Sequence, residues 1–298
     1  MKALIFGENG QIAFELMRQK PAGFEVIAIG RHNVDIANST HVRSSIRTHV
    51  PNIIINAAAY TDVDRAELEP EIAFAVNATA AAVIAEEAAS LGICVVHYST
   101  DYVYDGTSSR PYTEDDAVNP LNVYGKSKLE GDLAVQRSGA AHLILRTCWV
   151  YAERGNNFLT TMMRLGAERE TLSVVDDQRG CPTSAAYVAR ATWKAAMQLL
   201  EEPLPDALSG VYHLACDGSA TRHEFATAIF DGARQFKRSL TVERLERIRS
   251  GEYPRRARRP TYSVLSCAKI HQIFGIEAPS WRNALEQVLR RIAETKVG

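Results

Sequence analysis

Tyr124 and Lys128 stand four residues apart in NVYGKSKLE (122–130), and Ser99 and Thr100 close an apolar run in YSTDYVYDG (98–106). On a helix, a four-residue spacing sets two side chains on one face. An ammonium beside a phenol favours the phenolate and draws its pKa down from about 10, so the hydroxyl can exchange a proton near working pH. A second hydroxyl close by can hold a carbonyl oxygen while the tyrosine handles the proton. These residue types suit carbonyl reduction by hydride transfer. The same spacing also suits a tyrosine packed on a lysine stem, so the choice depends on what the chain places around the pair.

A glycine turn lies at the start. KALIFG (2–7) runs into GENGQIA (7–13), where Gly7 and Gly10 are three apart and a helical pattern begins at once. A turn without Cβ atoms lets the backbone approach a pyrophosphate, and the helix N-terminus offers it free N–H groups. Gly7, Asn9, Gly10, Gln11 and Ile12 are therefore candidate cofactor residues, although two glycines can equally mark a plain tight turn. The second apolar run ends in IGRHN, with Arg31 where an NAD-selective site would carry an acidic residue. A cation there can pair with the 2′-phosphate of NADPH, NADH being the alternative donor. Asp35 and Ile36 fit the adenine edge, and Ala57, Ala58 and Ala59 after the third run fit the cofactor's far side.

These motifs need elements to carry them. KALIFG, FEVIAIG (24–30), NIIINAA (52–58), ICVVHYS (93–99) and AHLILRT (141–147) are near-continuous apolar runs. Such runs suit strands covered on both faces of a parallel sheet. Helical patterns fall between them at 11–20, 39–48, 64–90 with a break near Pro70, and 124–138, with later ones at 157–168 and 185–200. The residues 201–210 read as a surface loop before the strand VYHLA. The pattern predicts an α/β chain, a Rossmann-type doubly wound parallel sheet with a smaller C-terminal α/β substrate lobe. Residues 1–146 would bind the dinucleotide, with 185–215 returning to that domain, and 147–184 and 216–298 would form the substrate lobe. His97 and Cys148 fall inside strands, where burial is expected. A glycine turn after the first strand, NAAA after the third, STD after the fourth and YxxxK in the next helix occur in the order a hydride-transfer site requires.

Composition narrows the class. A chain of 298 residues with 46% apolar content can bury a large core, and a net charge of −1 gives no support for nucleic acid or an anionic membrane as partner. The opening apolar stretch is too short for a secretory segment, and no later segment has about 18 uninterrupted apolar residues. A cytoplasmic protein is expected. The five cysteines are scattered and odd in number, which predicts reduced thiols and no metal cluster.

With FGENGQ, NAAAYTDVDRAE, STDYVYDG, PLNVYGKSKLEG, RTCWVYA, DDQRGCPT, GVYHLA and ARRP in this order, the chain resembles the extended short-chain dehydrogenases/reductases. It is most similar to their dTDP-4-dehydrorhamnose reductase family, over almost its whole length. The resemblance implies that Tyr124 gives a proton to the C4 ketone oxygen of a nucleotide-linked 4-keto sugar. Thr100 would hold that carbonyl, and Lys128 would hold the nicotinamide ribose and tune Tyr124. It adds Tyr60 and Asn77 to the cofactor residues. It places the sugar nucleotide at Thr61, Asp62, Val63, Tyr102, Trp149, Asn157 and Arg259, while Trp149 also suits core packing and the PRRARRP run also suits a solvated loop. Some members bridge subunits with Mg2+ held by glutamates. Here Glu15 matches one position, but Ala186 and Arg291 stand where other carboxylates would be, which speaks against that bridge. A homodimer is compatible with the family. Two other readings stay open: an epimerase or epimerase/reductase of a related keto sugar, and a non-catalytic NADP-binding regulatory subunit. Retention of Thr100, Tyr124 and Lys128 argues against the latter.

Overall fold

Branched apolar residues dominate most of the strands. In the computed structural model, which describes residues 1–294, these are β1 (Lys2–Phe6), β2 (Glu25–Ile29), β3 (Ile53–Asn56), β4 (Cys94–Thr100), β5 (His142–Thr147), β6 (Thr171–Val175), β7 (Gly210–His213) and β8 (Arg244–Ile248). Six of them form one parallel sheet in the order β7-β5-β4-β3-β1-β2. The chain passes from β2 across β1 to β3, so the order reverses between β1 and β3. Ligands of open parallel sheets bind at the carboxyl ends of the strands flanking such a reversal.

The helices are α1 (Gln11–Arg18), α2 (Ser39–His49), α3 (Val63–Ala66), α4 (Pro70–Phe74), α5 (Ala80–Leu91), α6 (Val123–Arg137), α7 (Phe158–Glu168), α8 (Ala185–Glu201), α9 (Arg222–Gln235), α10 (Ala268–Phe274) and α11 (Trp281–Glu294). Alternation along the strands divides the core. Ala3, Ile5, Ile53 and Ile55 face Leu16 of α1 and Val188 of α8. Leu4, Phe6 and Ile54 face Val42 and Ile46 of α2 and Ile84 of α5. Both faces of the sheet are thus covered, as the continuous apolar runs require.

The expected helix over 64–90 is divided more sharply than its pattern indicates. It stops at Ala66 and restarts with Pro70 in the first turn, where a missing N–H costs nothing. It then passes through a π-helical turn, Ala75–Thr79, before continuing as α5. Pro70–Leu91 is long and apolar enough by composition to cross a membrane, but Val83, Ile84, Ala85 and Ala88 are buried in the core. Beyond β5, β6 pairs in parallel with β8, and α7, α9 and α11 pack together beside them. All five cysteines are free thiols.

Candidate active site

The glycine turn is shaped by a close approach. Gly7 has φ +101°, and a Cβ there would lie 2.7 Å from the Ala58 nitrogen and 2.8 Å from the Ala57 oxygen. Only glycine lets β1 turn against the end of β3. Gly10 then opens α1 without a side-chain cap, leaving first-turn N–H groups available to an anion. Beside this turn lies a cleft of about 580 Å³ lined by Gly7, Asn9, Gly10, Arg31, Asp35, Ile36, Ala58, Ala59 and Tyr60 among others. Arg31 is exposed at its rim. The donors and the shape fit the adenosine and pyrophosphate part of a dinucleotide, and Thr100, Tyr124 and Lys128 do not line this cleft.

Three of the expected cofactor residues have other work. Asn77, in the π turn, is 1% exposed and braces the loop: its Oδ1 accepts from Tyr60 N at 2.8 Å, and its Nδ2 donates to Tyr60 O and to Ser127 Oγ. It shapes the cleft wall without lining it, because its polar atoms are consumed by the loop it holds. Gln11 accepts from Asn157 Nδ2 at 2.8 Å, tying α1 to the start of α7. Ile12 packs against the core.

Helix α6 carries Tyr124 and Lys128 up to β4. Asn122 caps it by accepting from Gly125 N at 2.7 Å, and a Cβ on Gly125 would lie 2.3 Å from Tyr102 O. That contact sets the Tyr102 ring edge-on to Tyr124, with centroids 5.9 Å apart. Thr100 Oγ1 donates to Asp101 Oδ1 at 3.1 Å, accepts from Tyr102 N at 3.1 Å, and lies within hydrogen-bonding reach of Tyr124. Burial pushes the Tyr124 phenol pKa up, and the Thr100 hydrogen bond opposes this. Lys128 is 2% exposed; its Nζ donates to Tyr98 O and lies 3.4 Å from His97 Nε2. Burial lowers its pKa to about 8, with Asp132 opposing.

The electrostatics therefore differ from the sequence expectation. Tyr124 and Lys128 do share a helix, but the ammonium is bound back onto β4 and burial dominates the phenol. Tyr124 is held protonated, as a proton donor to a ketone must be.

Sequence reasoning missed the polar layer below this pair. His97, kept neutral by burial and by Lys128, lies 3.1 Å from Asn56 Nδ2. Asp132 accepts from Ser99 Oγ at 2.9 Å and from Arg146 Nε at 3.2 Å, all of them buried. The signal was available, since a histidine, a serine and an arginine interrupting buried strands must find partners.

On the substrate side, Arg259 reaches the Tyr102 hydroxyl, and the other expected residues lie in separate local settings. Thr61 and Asp62 are exposed and Val63 half-buried at the start of α3, which Asp62 caps by accepting from Arg65 N at 3.0 Å. Trp149 has φ +43°, and its ring lies 3.5 Å below the Arg222 guanidinium. Asn157 caps α7 and is committed to that cap and to Gln11. Arg259 forks onto Asp64 at 2.8 and 3.0 Å. Among the described residues no group of three or more His, Cys, Asp or Glu gathers as a metal site, and Glu15 is engaged by Arg18, Gln19 and Arg291.

A doubly wound parallel sheet with a glycine turn at its switch point and a hydroxyl–tyrosine–lysine set at the end of β4 defines an oxidoreductase of the extended short-chain dehydrogenase/reductase class. Residues 1–294 match the RmlD substrate binding domain, and the chain belongs to that family. It is 42% identical to the dTDP-4-dehydrorhamnose reductase of Salmonella typhimurium, over 99% of both chains. Among solved structures it is similar to a dTDP-4-dehydrorhamnose reductase from Clostridium acetobutylicum, at TM-score 0.90 and 36% identity over 98% of this chain and 99% of that one. It is also similar to the Bacillus anthracis enzyme in complex with NADP, at TM-score 0.88 and 34% identity over 97% and 99%.

Proposed function

We propose that this protein reduces the C4 ketone of dTDP-4-dehydro-β-L-rhamnose to dTDP-L-rhamnose in the cytoplasm, using NADPH, as the last step in making this sugar donor for cell-surface polysaccharide. The observation that carries the reading is a protonated Tyr124 beside Thr100, one strand end from the glycine-turn cleft. A reduced nicotinamide dinucleotide held by its pyrophosphate at the glycine turn would supply the hydride. Gly7 and Gly10 would admit the pyrophosphate, and Arg31 at the rim would meet a 2′-phosphate.

The protein's own contribution is a proton and a fixed oxygen. Tyr124 donates its hydroxyl proton to the oxygen of the ketone as negative charge develops there. Thr100 orients that oxygen, its own hydroxyl being fixed by Asp101 and the Tyr102 N–H. Lys128 keeps one donor on Tyr98 O and has others for the ribose. Its charge also favours the tyrosinate left after transfer. Thr61, Asp62, Val63, Tyr102 and Arg259 would surround the sugar nucleotide.

The test is NADPH oxidation in a coupled assay, with dTDP-4-keto-6-deoxyglucose and a 3,5-epimerase supplying the substrate. Oxidation should require the epimerase and yield dTDP-rhamnose. Tyr124→Phe should lower kcat by at least about 10²-fold with nearly unchanged NADPH affinity. Retained turnover in that variant would remove Tyr124 from the mechanism.

A further inference from the structure

Arg222 is not among the residues that the motifs single out. It opens α9, is half-buried, and places its guanidinium 3.5 Å from the Trp149 ring centroid and 5.3 Å from that of Phe158. Other enclosed arginines here have carboxylate partners: Arg146 has Asp132 and Arg259 has Asp64. Arg222 forms no ion pair among the described residues. Its polar neighbour is the hydroxyl of Tyr102, which Arg259 also reaches. Two guanidiniums thus converge on a phenol whose ring edge rests on Tyr124.

The local charge is unbalanced. Arg255 and Arg259 share the single carboxylate of Asp64, which leaves none for Arg222. Asp101, whose field also reaches Arg222, has its oxygens engaged by Thr100 and by the Cys148 thiol, and burial disfavours its ionised form. A partly desolvated guanidinium without a counter-ion is costly, and its planar fork matches phosphate oxygens. Trp149 fixes where that fork sits. Its ring is held between Arg222 and Gly180, where a Cβ would come within 2.6 Å of it, and its left-handed backbone turns it into this slot. With Arg222 over its face, Trp149 serves as a shelf for the cation.

We propose that Arg222 binds the diphosphate of the nucleotide sugar, beside an Arg259 whose fork Asp64 holds, and makes that group a condition of productive binding. The inference rests on the reductase reading above.

The test compares the parent protein with Arg222→Gln and Arg222→Lys, each loaded with NADP and checked for folding by its melting transition. Thymidine diphosphate and thymidine are titrated separately, and KM and kcat for the keto sugar are measured. Arg222→Gln should weaken thymidine diphosphate by roughly 10- to 100-fold, the loss of one charge-assisted contact, and raise KM more than it lowers kcat. Thymidine and NADP affinities should stay unchanged, and Arg222→Lys, which keeps the charge but not the fork, should fall between. Equal weakening of thymidine and thymidine diphosphate would assign Arg222 a packing role and overturn the inference, as would unchanged diphosphate binding. If Arg222→Gln does not fold, Arg222→Lys decides alone, by whether its loss is confined to the diphosphate. A parent protein that binds no thymidine diphosphate would overturn the reductase reading and this inference with it; tight parental binding that Arg222→Gln leaves intact overturns only the inference.

Discussion

Two buried groups with pKa values displaced in opposite directions set the pH behaviour of the proposed catalytic pair. Burial lowers Lys128 from 10.5 to about 8, while Tyr124 is pushed up and out of the accessible range. An alkaline loss of activity therefore belongs to Lys128: kcat should fall as pH rises through about 8. Lys128→Met should lower the rate and flatten that limb, and a limb that survives the substitution would have to come from another group. Stability has the opposite sign. Between about 8 and 10.5 the unfolded chain holds the lysine proton that the folded one has released, so this group's contribution to stability rises with pH. Arg31→Ala should weaken NADPH binding more than NADH, and equal losses would place the 2′-phosphate elsewhere. Tyr124, Lys128 and Thr100, the proposed catalytic set, could be picked out because carbonyl reduction needs those residue types at those spacings. Their pKa values were not legible, since burial outweighed the neighbouring charge that the four-residue spacing suggested. Arg222 was equally hidden, because its meaning comes from Trp149 and Tyr102, which are distant in the chain.

Helix α6 delivers the pair, and its depth is set where Gly125 meets the Tyr102 carbonyl. A methyl group in Gly125→Ala would lie 2.3 Å from that oxygen, so the helix, the carbonyl or both must move. Overpacking of this kind costs about 1–3 kcal/mol, and each kcal/mol lowers Tm by roughly 2–4 °C in a domain of this size class. Activity should suffer more than stability, because the displacement falls between Tyr124 and Thr100. Differential scanning calorimetry with kcat for the same variant checks both parts, and an unchanged kcat would show that the pair tolerates a shifted helix. The strand runs and most helices could be read from apolar periodicity because both sheet faces are covered. The π turn at Ala75–Thr79 could not, since it depends on Asn77 reaching the Tyr60 backbone and on α6 packing beside it, which are tertiary demands.

At the scale of the molecule, the chain's last described helix is locked back onto its first. Glu15 of α1 is fully buried, and its Oε2 accepts from Arg18 at 2.6 Å and from Gln19 at 2.6 Å. Its Oε1 accepts from Arg291 of α11 at 3.2 Å, and Arg291 also reaches Glu153 at 3.5 Å. Gln19 extends the junction to the Ala186 carbonyl of α8. A guanidinium therefore stands against the carboxylate that the family resemblance made a candidate for Mg2+. A divalent ion would need oxygen ligands that this junction has committed to nitrogen donors. Chelation by EDTA should leave both kcat and Tm unchanged, and added Mg2+ should raise neither. Arg291→Met should instead lower stability by about 1–3 kcal/mol, the cost of removing a hydrogen-bonded charge from a buried carboxylate. If Mg2+ restored the Tm of Arg291→Met while leaving the parent unaffected, the arginine would be doing a metal ion's work in joining the two ends of the chain; if Mg2+ stabilised the parent itself, the junction would have to open to admit it, and the closure inferred from Glu15 would be wrong.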